Sequence, residues 1–573
     1  MEYITFKKSN CKNCHKCIRN CPVKSIRFSG NQANVIPEEC VLCGECFVSC
    51  PQGAKDIVDE TEIVSVLLRG DAPVYASIAP SFVSYFPGVG INALREALIK
   101  LGFTDAEETA IGATIVKREY ERLLQEGVQD IIITSCCHTV NLLVEKYYPQ
   151  LVNCLAPVIT PMHAHSDDIK RRYPEAKTVF IGPCLSKKDE AAIAMVDAVL
   201  TFEEISRMLD KAGIVPEQVM DSSEHSLARI FPTSGGVLGT LSYRNPDYAY
   251  ITIDGMENCI AALNDIARGD IHRCFIEMSS CAGSCIRGPV MRKNKVSPLK
   301  GYRSTFAYAG KEDFVVAQPP QQRLSDAHPS ITLHKLTPTP SQIEEILRKM
   351  GKTSPSDELN CGTCGYDTCR EKAAAVFQGK AEIDMCLPYL MEKSERFTDT
   401  ILDNTPNGIL VVNEALEVQL INRAAMKMLH VNSRSDVLGE PLIRIMDPTD
   451  FVYAAENLRR VRNQRDYYAE FDSYLELTIV NDRKSDNLIG IFRDVTDEEN
   501  ARKSHDALSR QTIETADRVV DKQMRIVQEI ASLLGETAAE TKIALTKLKE
   551  SIAHDNNQES LCGYRISQHK PPR

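Results

Sequence analysis

Asp130-Ile131-Ile132-Ile133-Thr134-Ser135-Cys136-Cys137 is the stretch on which the reading of this chain turns. A short β-branched run reads as a buried strand, and two adjacent cysteines stand where it ends. The run Thr178-Val179-Phe180-Ile181 leads in the same way into Gly182-Pro183-Cys184-Leu185-Ser186-Lys187-Lys188-Asp189-Glu190. A third motif, Glu277-Met278-Ser279-Ser280-Cys281-Ala282-Gly283-Ser284-Cys285, carries two more cysteines. With Val74-Tyr75-Ala76-Ser77-Ile78 and helical patterns at Ile91–Leu101 and Ile115–Leu124, these runs predict an α/β domain of mostly parallel strands. Open sheets of that class place ligands beyond the C-terminal ends of their strands, where these cysteines stand.

Toward the N-terminus, residues 1–57 repeat a cysteine run at an offset of 29 residues. Cys11, Cys14, Cys17 and Cys21 precede Pro22; Cys40, Cys43, Cys46 and Cys50 precede Pro51. Each run has the spacing of bacterial two-cluster ferredoxins, in which three thiolates hold one cube and the fourth reaches across to the other. One 4Fe-4S cluster is therefore expected on Cys11, Cys14, Cys17 and Cys50, and a second on Cys40, Cys43, Cys46 and Cys21. A pair of zinc sites would require neither the doubled run nor the two prolines. Cys361, Cys364, Cys369 and Cys386 form a further set, and four soft thiolates suit zinc or a cubane alike. Asn360-Cys361-Gly362-Thr363-Cys364-Gly365-Tyr366, with Cys386-Leu387-Pro388-Tyr389, resembles the small iron–sulfur domain of membrane electron-transfer subunits and corrinoid iron–sulfur proteins. That resemblance implies a third accessory 4Fe-4S cluster.

The chain has 573 residues, too many for one core. The expected organisation is a ferredoxin domain at 1–57, the α/β domain at 58–316 and a proline- and glutamine-rich connection at 317–342 with a strand at Ile331–Leu333. A small iron–sulfur domain at 343–393 follows a helix at Ser341–Lys349; residues 394–497, a helix at 498–554 and a disordered tail at 555–573 complete it. The net charge of -11 argues against a nucleic-acid partner and otherwise means solubility. No apolar run reaches membrane-spanning length, and the N-terminus has no signal-peptide pattern. Clustered cysteines in a long chain read as metal ligands rather than disulfides, so a cytoplasmic protein is expected.

Four thiolates from three separate loops can hold one cube, which leaves Cys136 over. Across residues 72–292 the chain closely resembles the catalytic domain of the iron-only ([FeFe]) hydrogenases, and the ferredoxin repeat matches that family's accessory domain. The resemblance implies that Cys137, Cys184, Cys281 and Cys285 bind the 4Fe-4S part of the H-cluster. Cys285 would also bridge to a two-iron unit bearing carbon monoxide, cyanide and a dithiolate with a central amine. It implies that Cys136 passes protons to and from that amine and that Lys187 donates to an iron-bound cyanide, an anion whose burial requires such a partner. Ala79-Pro80-Ser81 matches the family's other cyanide-contacting loop, Phe231 ahead of Thr233-Ser234-Gly235-Gly236 matches an aromatic wall of the pocket, and Glu190 closes the second motif. Heterolytic cleavage of dihydrogen requires a metal and a nearby base, and the protein supplies orientation, donors and electron wires.

Departures from the family pattern carry equal weight. Active members place proline and a bulky residue after the paired cysteines, where His138-Thr139-Val140 stand here; Gly182 and Ser279 occupy two positions that are usually methionine. Aligning Thr114-Ile115-Val116-Lys117-Arg118-Glu119-Tyr120-Glu121 puts Arg118 on the first of two proton-carrying glutamates, Glu121 on the second, and Ala156 on a serine. Arginine stays protonated and alanine has no exchangeable hydrogen, so slow turnover is expected unless Glu119, Glu121, His138, His163 or His165 supplies another route. For each histidine a surface or satisfied core role is the plainer reading. Cys154, Cys259 and Cys274 read as buried small hydrophobes, and Cys562 as exposed in the tail.

Residues 394–497 resemble a PAS domain: helix Ser394–Leu402, strand Gly408–Val412, a turn, strand Glu417–Ile421, a helix capped by Asn422, and a closing strand that ends in Asp494-Val495-Thr496. No cysteine there suits a flavin adduct, and only His430 offers a haem ligand. Beyond it Val520, Met524, Val527, Ala531, Leu534, Ala538, Thr541, Leu545, Leu548 and Ile552 recur in steps of four and three, a coiled-coil seam that predicts a homodimer; packing within one subunit is the alternative. No kinase histidine box or output enzyme follows, so a signal would leave through a partner such as a kinase or phosphatase. The function expected is a sensory [FeFe] hydrogenase that oxidises dihydrogen slowly and reversibly, exchanges electrons with ferredoxin or another small carrier, and is loaded by hydrogenase maturation factors. A working ferredoxin-linked hydrogenase and a non-enzymatic iron–sulfur assembly scaffold are the alternatives.

Overall fold

Val74–Ile78, Ile131–Ile133 and Lys177–Gly182 are strands in the computed structural model of the chain, which describes residues 3–221, 226–456, 461–482, 486–534 and 542–550. Contacts divide the chain into two compact units, residues 1–391 and 392–573. In the first, a four-stranded parallel sheet runs in the order Asp105–Glu108, Val74–Ile78, Lys177–Gly182, Ala198–Thr201. A three-stranded parallel sheet has the order Ala249–Asp254, Cys274–Ser279, Ile131–Ile133. Val74–Ile78 is buried along its whole length, as a parallel strand covered on both faces must be.

Helix Ile91–Leu101 has the expected bounds, whereas the helix expected over Ile115–Leu124 runs from Ala110 to Glu126. Its extra first turn is Ala, Ile and Gly with no polar face to mark it, and Gly127 closes it at φ 62°. Helix Pro161–Arg172 crosses it at Gly112, where a Cβ would lie 2.1 Å from the Pro161 carbonyl oxygen and 2.8 Å from the His165 amide nitrogen. Only hydrogen fits there, and this close approach draws His165 in against the sheet.

The ferredoxin segment packs on the α/β domain through Arg292–Glu45 at 2.6 Å and through Lys146 Nζ and Tyr147 Oη, which donate to the Cys40 and Glu39 carbonyls at 2.7 Å. The small cysteine module packs on the ferredoxin segment in turn: Arg19 donates to the Gly362 and Thr363 carbonyls at 3.2 Å, and Lys24 to that of Gly365 at 3.1 Å. Helix Pro340–Lys349 opens this module behind a capping box of Thr339 and Gln342.

Two expectations need correction. Ile331–Leu333 is not a strand: its one ladder-like bond runs from the Ile331 amide to the Glu145 carbonyl at 2.9 Å, in the middle of a strap laid over the α/β domain. Leu324 is buried, its carbonyl accepts from the Ile159 amide, and His328 pairs with Glu145 at 3.0 Å. The C-terminal pattern is not one straight helix either. Thr496–Leu534 is helical and so are residues 542–550, yet Lys549 pairs with Asp517 at 3.1 Å. A continuous helix would separate those residues by about 48 Å, so the two described stretches lie side by side. Val520, Met524, Val527 and Leu545 are half-buried, so this part of the seam packs within one subunit. Leu548 remains 58% exposed, and Ala538, Thr541, Ile552, Cys562 and the tail lie outside the described residues.

The second unit is a five-stranded antiparallel sheet in the order Val418–Ile421, Gly408–Val412, Asn487–Asp494, Ser473–Asp482, Val461–Tyr468, with a filled core that includes Leu410, Phe451, Leu477 and Phe492. Asn422 is fully buried: its carbonyl accepts from the Ile409 and Ala425 amides, and its amide donates to the Leu402 and Asn407 carbonyls. Asp494 accepts from the Thr496 amide and hydroxyl, which starts the long helix. His430 is exposed and stands edge-on to Phe471 rather than facing the interior. No described helix is long and apolar enough to cross a membrane.

Candidate functional site

The motif cysteines line four cavities of the first unit. Cys11, Cys14, Cys17 and Cys50 share one, Cys21, Cys40, Cys43 and Cys46 a second, and Cys361, Cys364, Cys369 and Cys386 a third. Each cavity gathers four cysteines grouped together in the sequence reading, with Cys21 and Cys50 exchanged between the two runs. Burial first, then the neighbouring thiolates Cys50, Cys11 and Cys14, pushes Cys17 up to about 11 despite Lys55 nearby. Buried thiols that repel one another on ionising suit polyvalent iron, which ligates the thiolate.

Loops leaving the C-terminal ends of strands in both sheets line the fourth cavity, which is walled by Ala79, Pro80, Ser81, Cys136, Cys184, Lys187, Phe231 and Cys285. Cys137 and Cys281 adjoin it. Burial, then Cys184, Cys137 and Cys285, holds Cys281 well above its ordinary value. Ser280 Oγ lies 3.6 Å from Cys137 Sγ and 3.8 Å from Cys281 Sγ, and Ser186 Oγ lies 3.1 Å from Cys184 Sγ. Lys187 donates to Glu190, itself held by Thr160, and to the Cys136 carbonyl at 3.3 Å. Ser81 Oγ is fully buried and has no hydrogen-bond partner among the described residues. The donor set thus fits an iron–sulfur centre on four thiolates beside a unit with small anionic ligands: an orphaned hydroxyl and an ammonium face the space such ligands would take.

Cys136 is raised to about 12, by burial first, while the Tyr120 hydroxyl and Lys187 pull it down. Tyr120 is what sequence reasoning missed: its hydroxyl is 3.1 Å from Cys136 Sγ, 3.2 Å from Ser135 Oγ, and accepts from the Ser135 amide at 3.1 Å. Glu121 is turned away, accepting from the Ser242 and Tyr243 amides beside Lys117. Arg118 donates to the Val316 carbonyl at 2.8 Å, and Gln318 bonds Glu119 and the Ile115 carbonyl, so residues 313–318 lie along this face of the helix. Ala156 is fully buried. Glu277 rises to about 7 through burial, although amides from Gly235 to Leu238 point at it. A Cβ on Gly182 would lie 2.5 Å from the Phe180 ring, which lines the cavity, so no methionine fits there. Ser279 lies outside the lining, its carbonyl accepting from Cys259 Sγ at 3.3 Å. His138 pairs with Asp189 at 2.9 Å, His163 is half-buried, and His165 is wholly buried. Cys259 and Cys274 are buried and Cys154 half-buried.

Comparison with known proteins finds the iron only hydrogenase large subunit, C-terminal domain at residues 72–289 and a 4Fe-4S dicluster domain at 3–66. An Fe-S cluster family matches 357–388 and the PAS fold 396–472. The periplasmic [Fe] hydrogenase large subunit of Nitratidesulfovibrio vulgaris is 24% identical over 369 residues, 51% of this chain and 87% of that one. Iron hydrogenase 1 of Clostridium pasteurianum is 26% identical over 275 residues, 38% of this chain and 48% of that one. Among solved structures, a variant of the apo [FeFe]-hydrogenase of Chlamydomonas reinhardtii matches 48% of this chain and 100% of its own, at 16% identity and a TM-score of 0.39.

Proposed function

Because the chain carries an iron-only hydrogenase large-subunit domain, a two-cluster ferredoxin domain, a further iron–sulfur segment and a PAS fold, we propose that it senses dihydrogen through slow, reversible oxidation. In this reading Cys137, Cys184, Cys281 and Cys285 would hold the 4Fe-4S part of an H-cluster, with its two-iron unit taken up in the cavity beside Cys285. When bound, that unit supplies the metal and amine at which dihydrogen is split. Ser81 Oγ and Lys187 Nζ donate to its anionic ligands, Ala79, Pro80 and Phe231 exclude water, and Cys136 Sγ passes the proton. Electrons leave through clusters on the two ferredoxin sets and on Cys361, Cys364, Cys369 and Cys386. The last of these cysteines is followed at once by helix Leu387–Asn404, which runs on to the PAS strand Gly408–Val412.

The observation that carries the sensing role is the state of the helix Ala110–Glu126. Its two acid positions hold Arg118, tied to the strap, and Glu121, spent on backbone amides. In this reading the acids of that helix no longer serve bulk turnover, and the PAS fold offers an output. The redox state would bias the PAS domain and the helical stretches beyond it toward a kinase or phosphatase in the cytoplasm, within a homodimer. Ferredoxin or a similar small carrier resets the clusters, and maturation factors install the two-iron unit.

Infrared spectra of the matured protein test the chemistry: bands from iron-bound carbon monoxide and cyanide are expected, and their absence overturns it. Deleting residues 394–573 should leave those bands and dihydrogen oxidation intact while abolishing a transcriptional response to hydrogen. A response that survives the deletion removes the sensing role, and turnover rivalling bulk enzymes favours a working ferredoxin-linked hydrogenase instead.

A further inference from the structure

A cavity that splits dihydrogen must exchange protons with solvent, and the face of helix Ala110–Glu126 that would carry them is strapped over. A different series of polar groups leaves the cavity across the four-stranded sheet. Thr109 lines the cavity just ahead of that helix, and its Oγ1 is 2.7 Å from Ser77 Oγ. Ser77 Oγ is 2.8 Å from His165 Nδ1, and His165 Nε2 is 3.3 Å from Glu107 Oε2. Arg172 forks the Glu107 carboxylate at 2.8 and 2.5 Å, and its side chain is 37% exposed against 18% for Glu107, so the series ends at the surface.

The fold sets this order. Ser77 and Glu107 are paired in the parallel ladder, which puts both side chains on one face of the sheet. The tight crossing at Gly112 lays His165 over that face, between the two. Burial alone would raise Glu107, but hydrogen bonds from His165 and Arg172 and the charge of Arg172 hold its carboxyl below the ordinary range. As an ionised acceptor it requires the proton on Nε2, leaving Nδ1 to accept from Ser77 and Ser77 to accept from Thr109. Every donor then points outward, and a lone pair of Thr109 remains toward the cavity.

We propose that Thr109, Ser77, His165 and Glu107 form the proton path of this site. A proton arriving at Thr109 Oγ1 displaces the hydroxyl proton to Ser77 Oγ. That of Ser77 passes to His165 Nδ1, and the imidazolium gives its Nε2 proton to Glu107 and on to water. Only O–H and N–H bonds are made and broken, and no electron moves. After each passage both hydroxyls and the imidazole tautomer must reset, a step a carboxylate relay avoids, which matches a slow sensor. This path rests on reading the cavity as hydrogen-reacting.

Thr109→Val is the cleanest test, because the Thr109 side chain caps no helix amide and its backbone bond to Ile78 stays. With the matured protein, exchange between dihydrogen and deuterated water should fall at least about 10-fold, while the carbon monoxide and cyanide infrared bands keep their positions. Nitrogen-15 spectra of histidine-labelled protein lacking the two-iron unit should show the His165 Nε2 proton in wild type and Thr109→Val, with the Nδ1 signal moving in Ser77→Ala. Wild-type exchange rates in Thr109→Val, or a proton on Nδ1, overturn the path while the bands leave the hydrogenase reading standing. Absence of the bands from wild type overturns both.

Discussion

Replacing Tyr120 by phenylalanine removes one oxygen from behind Cys136 and tests how that thiol is held. The hydroxyl accepts from the Ser135 amide and faces Ser135 Oγ and Cys136 Sγ, all within 3.2 Å. Ser135 Oγ already donates to the Val158 carbonyl at 2.6 Å, so the phenol proton is left for the thiol sulfur or, when the thiol donates, for Ser135. A hydrogen bond to an ionised group contributes about 1.5–3 kcal/mol, which corresponds to roughly 10- to 100-fold in thiolate population. Burial holds Cys136 high and the Tyr120 bond lowers it, so its loss moves the thiol further up. At a fixed pH below that value, the thiolate, and with it the alkylation rate, should drop by that factor. The assay is mass-spectrometric alkylation of Cys136 in protein that holds its cubanes but lacks the two-iron unit, followed against pH. The orphaned Ser135 amide should also cost about 1–3 kcal/mol of stability. An unchanged alkylation profile, with the stability loss present, would show that the phenol braces the backbone without governing the thiol.

Two further outcomes follow from other parts of the fold. Glu277 is raised to about 7 in the folded chain against 4.5 for the free side chain, so the folded form keeps a proton that the unfolded form has lost between those values. Stability should therefore fall as pH rises from about 4.5 to about 7, by about 3 kcal/mol, and Glu277→Gln should remove that decline. Melting of the two proteins across this range checks it, and parallel curves refute it. Spin labels at positions 517 and 549 should report a short distance, set by the Lys549–Asp517 contact, rather than the about 48 Å of a straight helix. A long distance would restore the single coiled-coil seam.

Much of this architecture was legible because cysteine spacing and strand ends are local signals. The doubled ferredoxin run grouped Cys21 with Cys40, Cys43 and Cys46, which line one cavity, and two of the loops that meet at the fourth cavity announced themselves by a β-branched run followed by a cysteine. The side-by-side packing of the two C-terminal helical stretches was not legible. Heptad spacing records which face of a helix is apolar and is the same whether that face meets another subunit or the same chain folded back. The strap, which includes residues 313–331, escaped for a related reason: a proline-rich segment held by backbone bonds to Ile159, Pro157 and Glu145 leaves no periodicity to read.

Tyr120 shows why a motif alignment can find a helix beside the site and still pass over a group on it. Successive residues of a helix are turned by about 100°, so Glu121 and Tyr120 cannot serve the same wall. The apolar face of Ala110–Glu126, marked by Ala113, Val116, Tyr120 and Leu123 at steps of three and four, belongs to the core cluster on which Cys136 packs, and Tyr120 is its polar member. Periodicity read ahead of family position would have put the phenol beside Cys136. The path through Ser77 and His165 needed more than periodicity. It joins a strand residue, its neighbour in the ladder and a helix brought close by Gly112, and no segment of the sequence holds all three. Arg118 and Glu121 are engaged elsewhere, yet a sheet face carries hydroxyl, imidazole and carboxylate in line from the cavity to solvent.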